Sequence, residues 1–211
     1  MGSFLGVSSH FIITRIQTRQ KKKNIQKTLI SELDEFRYKL ICLVYTLTRL
    51  RCKWNRDFFK WIKPYLDSYE GIHKDNKLLE SVLTFLTQTD KQISSLNQPE
   101  GDNPLRTKSL KKYYLPFLES IIDYISLFPV EVQRQLLDIR SQVLVFNDMI
   151  DESQRYHFMT FDSSINEKNH EIVNINITYY FDSIIQRSEF IVKSIDVLLS
   201  KSSQSSDFII D

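Results

Sequence analysis

From Leu29 onward the apolar positions fall at Leu29, Leu33, Phe36, Leu40, Leu43, Leu47, Leu50 and Trp54, with spacings alternating between four and three. That alternation is a heptad seam, widened on one side by Ile30 and Val44, and it predicts a long helix. The next seam position is Asp57. The register therefore slips and resumes at Phe58, Ile62, Tyr65 and Tyr69, as it does across a stutter. Pro64 is expected to kink or interrupt this helix and Gly71 to cap its end.

A second helix is expected from about Asp75 to Leu96, with Leu79, Val82, Leu86, Ile93 and Leu96 on one face. The loop NQPEGDNPLRT (Asn97–Thr107) follows, and Asn103-Pro104 reads as an N-cap with proline in the first turn. A third helix would run to Phe128 through Tyr113, Phe117, Leu118, Ile121, Ile122 and Ile125, bent or begun at Pro116. Pro129 can open a fourth, ending near Tyr156. Ser164 with Glu167 fits a capping box for a last helix to about Ser200, whose core face is Ile177, Tyr180, Ile184, Ile191, Ile195 and Leu198. Val173, Ile175, Ile177, Tyr179 and Phe181 also alternate as a strand would. No second alternating segment offers that strand a partner, so the helix is preferred.

These elements predict an all-α protein, an elongated antiparallel bundle of four to five helices with long first and last members. Each of the two long helices is near 38 residues, about 57 Å at 1.5 Å per residue, and the first extends past the others. The domain reading is an apolar and basic N-terminal segment (1–24), a helical bundle (25–200) and a polar tail expected to be mobile (201–211). Composition agrees: 4 glycines and 5 prolines are too few for the tight corners of an all-β fold. No alanine occurs, so the helices must pack through large Leu, Ile, Phe and Tyr side chains.

Net charge of +2 hides an asymmetry. Residues 1–63 hold 14 Lys/Arg against 4 Asp/Glu, and the remainder holds 14 against 22. A basic end and an acidic body imply an anionic partner for the first helix or neutralisation within the chain. Cys42 and Cys52, ten residues apart on the expected first helix, lie about 15 Å apart along its axis and cannot bridge. Two free thiols suit a reducing compartment.

Candidate chemistry is thin. Gly2, Gly6, Gly71 and Gly101 fit neither phosphate-binding glycine pattern, so a Rossmann or P-loop site is not expected. Glu70–His73 and Glu167–His170 repeat the Glu-x-x-His spacing of di-metal helical bundles, but both fall at expected helix ends. His10, His73, His157 and His170 are scattered and support no triad, and Arg155-Tyr156-His157 suits a helix C-terminus. Asp34-Glu35 and Asp151-Glu152 suit solvated helix faces. No catalytic residue, metal, cofactor or small-molecule substrate is expected.

The segment ahead of the seam carries the functional content. Arg15, Arg19, Lys21, Lys22, Lys23 and Lys27 form a basic collar, and the seam extrapolated backwards meets Gln26, Lys22, Arg19 and Arg15. A helix can continue there without packing on the bundle. No stacking aromatic lies between Thr14 and Gln26, as a nucleic-acid reading would want. Upstream, Phe4, Leu5, Phe11, Ile12, Ile13 and Ile16 supply apolar anchorage for a membrane surface. The uncharged stretch Met1–Thr14 gives only about 21 Å as a helix, against a bilayer core of about 30 Å, so it is not expected to span. It also lacks the basic start of a secretory signal and the Ser/Thr of a myristoylation pattern.

An apolar start, the stretch RIQTRQKKKNIQKTLISELDEFRYKL and the later YLPFLESIIDYISLFPVEVQRQLLDI resemble bacterial proteins of unknown function. Those proteins have one N-terminal membrane helix and a cytosolic helical domain. The resemblance covers about residues 10–150 and implies no activity. The expectation is a non-enzymatic interaction or scaffold module, cytoplasmic and close to the inner membrane, its body kept inside by the basic collar. Its partner would be another protein or a second copy. Two alternatives stand beside it: nucleic-acid binding through the basic helix, and association through the Leu29–Trp54 seam.

Overall fold

The structure, a computed structural model, describes the backbone of residues 3–97 and 109–204 and the side chains of 20–97 and 109–201. The described chain is helical with no strand. Its elements are α1 (Ser3–Leu50), α2 (Arg56–Ser68), α3 (Asn76–Thr87), α4 (Asp90–Ser95), α5 (Pro116–Ser120), a 3-10 turn (Ile122–Leu127), α6 (Val130–Met159) and α7 (Glu167–Gln204). The Asn103-Pro104 cap and the 201–211 tail lie wholly or largely outside the described residues.

The seam on α1 is the inner edge of the core. Leu29, Leu33, Phe36, Leu40, Leu43 and Leu47 are buried, joined by Tyr38, Ile41 and Val44, while Leu50 is half-buried. This stripe is wider than two positions per heptad because α1 packs against both α2 and α7.

The helix does not run on to Tyr69 as the stutter suggested. Cys52 adopts φ 52°, Lys53 N–H donates to Thr48 O at 3.0 Å and Cys52 N–H to Arg49 O at 2.9 Å. This is a Schellman closure with cysteine in the left-handed position usually held by glycine. Cys42 and Cys52 are therefore not on one helix, and both are free. Asn55 then caps α2, its Oδ1 accepting from Phe58 N–H at 2.8 Å. Trp54 is buried as the seam implied, but between the helices, against Tyr45, Phe59 and Phe85.

Pro64 lies inside α2, which continues to Ser68. Gly71 does not cap the helix, because Tyr69 already turns extended. A Cβ at Gly71 would lie 2.0 Å from Tyr69 Oη, and the Tyr69 ring stacks on Tyr38 at 3.9 Å. The glycine is needed for that close approach.

The expected second helix is broken in two. Gln88 and Thr89 are both extended, and Thr89 opens α4 with a capping box to Gln92. Arg56 spans the break, donating to Leu86 O at 2.8 Å, to Gln88 O and to Asp90 Oδ1 at 2.7 Å. It thereby satisfies carbonyls left open at the end of α3. Leu96, expected on the core face, is exposed.

The expected third helix shrinks to α5 and the 3-10 turn, and residues 109–115 form no regular secondary structure. Side chains of α6 hold that strip by its backbone. Asn147 Oδ1 accepts from Tyr113 N–H at 3.0 Å, and its Nδ2 donates to Tyr113 O at 2.7 Å. Gln154 donates to Leu110 O, and Lys112 pairs with Asp151 at 2.6 Å.

Pro129 opens α6 as expected, though α6 continues past Tyr156 to Met159. Asn166 rather than Ser164 caps α7, its Oδ1 accepting from Asn169 N–H at 2.9 Å. Ser164 instead turns back on Asp162 at 2.7 Å. The 172–181 segment is helical within α7. Ile177, Ile184, Ile191, Ile195 and Leu198 are buried with Val173, Phe181, Ser188 and Val192, and Tyr180 is half-buried. This stripe meets α6 on one side and α1 on the other.

Candidate functional site

The seam's apolar surface is used within the chain, so what α1 offers a partner lies N-terminal to Leu29. Residues 1–31 contain no Asp or Glu. Lys21, Lys23 and Lys27 are exposed, while Lys22, Ile25 and Gln26, in line with the seam, are half-buried. The side chains of Phe4, Leu5, Phe11, Ile12, Ile13, Arg15, Ile16 and Arg19 lie outside the described residues.

The basic positions of residues 1–63 divide by partner. Arg37 donates to Asp34 at 2.5 Å and to Asp196 at 2.6 Å, and Asp196 also accepts from Tyr65 Oη at 2.7 Å. Arg51 and Lys53 converge on Asp182 at 3.0 and 2.9 Å. Burial alone would raise the Asp182 carboxyl, but these two cations outweigh it and hold the carboxyl below its usual range. So two aspartates of α7 take up Arg37 on α1 and Arg51 and Lys53 just beyond its end. No ion pair among the described residues involves Lys21, Lys23 or Lys27.

Beside Lys21 stands an aromatic ring. Lys21 Nζ lies 5.3 Å from the Tyr124 ring centroid. An open groove of about 430 Å³ runs between α1 and α5, lined by Gln20, Lys21, Asn24, Ile25, Thr28 and Phe117. Glu32 fixes its floor, accepting from Phe117 N–H at 2.7 Å and Leu118 N–H at 2.8 Å. Burial pushes the Glu32 carboxyl up, while the two N–H donors oppose that shift. The sequence could not show Tyr124 beside Lys21, because the residues are a hundred positions apart and meet through this capping contact.

The remaining candidates fall into separate surroundings. His73 faces Glu35 at 3.3 Å and Glu70 pairs with Lys74 at 2.9 Å. Arg155 lies 3.7 Å from Glu152, and His157 is buried against Phe158 and Phe161. Among the described residues no three His, Cys, Asp or Glu side chains are placed to share a metal ion. Burial pushes the Cys42 thiol up to about 11, the opposite of an activated nucleophile. No helix among the described residues is long and apolar enough to cross a membrane. No known protein family, curated protein or solved structure matches the chain.

Proposed function

We propose that this protein is a non-enzymatic helical interaction module held at an anionic membrane surface by the N-terminal half of α1. The setting we infer is the cytoplasmic face of a bacterial inner membrane, as the sequence resemblance implies. The observation that carries the reading is the division of charge along the N-terminal third of the chain: Arg37, Arg51 and Lys53 pair with aspartates of α7, while Lys21, Lys23 and Lys27 face solvent with no acidic residue before Glu32. Each Lys or Arg near an anionic bilayer contributes about 1 kcal/mol, so six give a useful salt-dependent attraction. The apolar residues upstream of Arg15 add interfacial burial. Contacts Glu131–Lys201 and Gln142–Arg187 on one side, and Arg37–Asp196 and Arg51–Asp182 on the other, support an antiparallel bundle for the body.

The test is co-sedimentation with phosphatidylglycerol vesicles and with neutral phosphatidylcholine vesicles. The intact chain is expected to bind the anionic vesicles, less so as salt rises. A Lys21→Gln, Lys22→Gln, Lys23→Gln variant should lose binding with unchanged circular dichroism, and a chain lacking residues 1–24 should lose binding while still melting cooperatively as a helical protein. Equal binding by all three proteins overturns the reading.

One observation favours the nucleic-acid reading as the second. The Tyr124 ring beside Lys21 supplies the stacking surface that the basic segment itself lacks. A salt-dependent gel shift that disappears in the triple Lys→Gln variant, without vesicle binding, would replace the membrane by nucleic acid.

A further inference from the structure

α7 is apolar on two sides. Its buried stripe faces α1 and α6, yet Ile172, Ile175, Tyr179, Phe190 and Val197 keep between 48% and 64% of their surface exposed. At 100° per residue these five fall in one sector about 60° wide, roughly 150° round the helix from the buried stripe. A helix with apolar side chains on opposite faces is built to be covered on both. By their fractional exposures the five present roughly 600 Å². Summed over the face, that is most of the ~800 Å² each partner buries in a standard interface.

The order of residues along this sector says what covers it. Ile172, Tyr179 and Ser183 are spaced by seven and four, and Val197, Phe190 and Gln186 repeat those spacings in the reverse direction. The pattern is a near-palindrome about the midpoint between Ile184 and Ile185. A two-fold axis there sets Ile172 against Val197 of a second copy, Tyr179 against Phe190, and Ser183 against Gln186. Aliphatic meets aliphatic, ring meets ring, and hydroxyl meets amide, while Ile175, the fifth apolar residue, meets Ser194. A surface that meets itself under reversal with like groups is suited to an isologous interface, in which the same patch is used by both subunits.

We propose that the outer face of α7 is a homodimer interface in which two α7 helices pack antiparallel about Ile184–Ile185. The like charges that this pairing brings near one another, Lys168 and Lys201, stand at the rim, and Lys201 already pairs with Glu131 at 3.5 Å. The interface is distinct from the α1 seam, whose side chains are buried within each chain. It is also independent of the membrane reading, which rests on the other end of the sequence.

Light scattering on the full chain tests the proposal. Mass should rise with concentration from 25.1 kDa toward twice that value. The double variant Tyr179→Lys, Phe190→Lys should stay monomeric up to about 100 μM with an unchanged circular dichroism spectrum, since both side chains are exposed. The register has its own readout in a background carrying Cys42→Ser and Cys52→Ser. There, chains with Ile172→Cys mixed with chains with Val197→Cys should form a disulfide-linked pair. Ile172→Cys alone should not, because its two copies lie about 37 Å apart along the axis. A mass fixed at one chain overturns the proposal, as does a dimer that survives the double variant or a link between two residues 172. Loss of vesicle binding in the double variant, with no change in mass, would assign this face to the membrane and also overturn it.

Discussion

Cys52 holds φ 52°, a left-handed conformation that costs a residue with a Cβ about 1–2 kcal/mol. Glycine there removes that strain and returns part of the gain as unfolded-chain entropy. Cys52→Gly is therefore expected to stabilise the protein by up to about 1 kcal/mol, a rise of ~2–4 °C in melting temperature for a chain of this size. Gly71→Ala should act the other way by about 1–3 kcal/mol, since Tyr69, stacked on Tyr38, has no room to retreat. Thermal melts of the two variants check both signs. Alkaline pH probes the same neighbourhood. Burial pushes Cys42 from 9.0 to about 11, and both Tyr38 and Tyr65 from 10.0 to about 12. Folded values above unfolded ones mean stability is intact below pH 9, then lost as pH rises through the folded values. Melting temperature should fall steadily between about pH 9 and 12, and Cys42→Ser should remove the portion that begins near pH 9.

At the level of elements, α1 and α7 were legible because each repeats an apolar stripe over many turns, so a few irregular positions do not obscure the period, and α6 was legible from the proline that opens it. The misreadings sit where local chemistry overrides the period. Arg51-Cys52-Lys53 contains no glycine or proline, so a helix end closed by a left-handed cysteine looks like a stutter in the register. The break between α3 and α4 did carry a signal, the Thr89-x-x-Gln92 capping box, hidden inside a run of apolar positions that kept helical spacing. Residues 109–115 were not legible at all. Their conformation is set by Asn147 and Gln154, more than thirty positions away, which supply the partners a helix would have supplied internally. Asn147→Ala leaves the Tyr113 N–H and C=O without these buried partners, and about 2–4 kcal/mol of stability should be lost. Hydrogen exchange should show the Tyr113 amide released ahead of global unfolding, whereas uniform protection loss would mean the strip is not a separate unit.

Across the whole molecule, the basic and acidic halves seen in the sequence meet as ion pairs, but only in part. Asp196 and Asp182 tie α7 to Arg37, Arg51 and Lys53, and Lys21, Lys23 and Lys27 are left outside that exchange. The charge split was legible, but which cations it would neutralise was not, since that depends on where α7 crosses α1. Asp182→Asn should weaken the body by no more than about 1 kcal/mol, because the pair is partly exposed. It should also remove a component of acid sensitivity. The Asp182 carboxyl lies below its unfolded value of 3.8, so its contribution is present above that pH and lost as pH falls through the folded value. Urea titrations at neutral pH and near pH 3 separate the two effects. The continuity of α1 from Ser3 to Leu50, 48 residues and about 72 Å, has a mechanical meaning as well. Whatever grips its first turns is phased to the body like a key on a shaft. Each residue inserted near Asn24 would lift the body ~1.5 Å and swing it by ~100°, so four added residues nearly restore its heading while two turn it to face the other way.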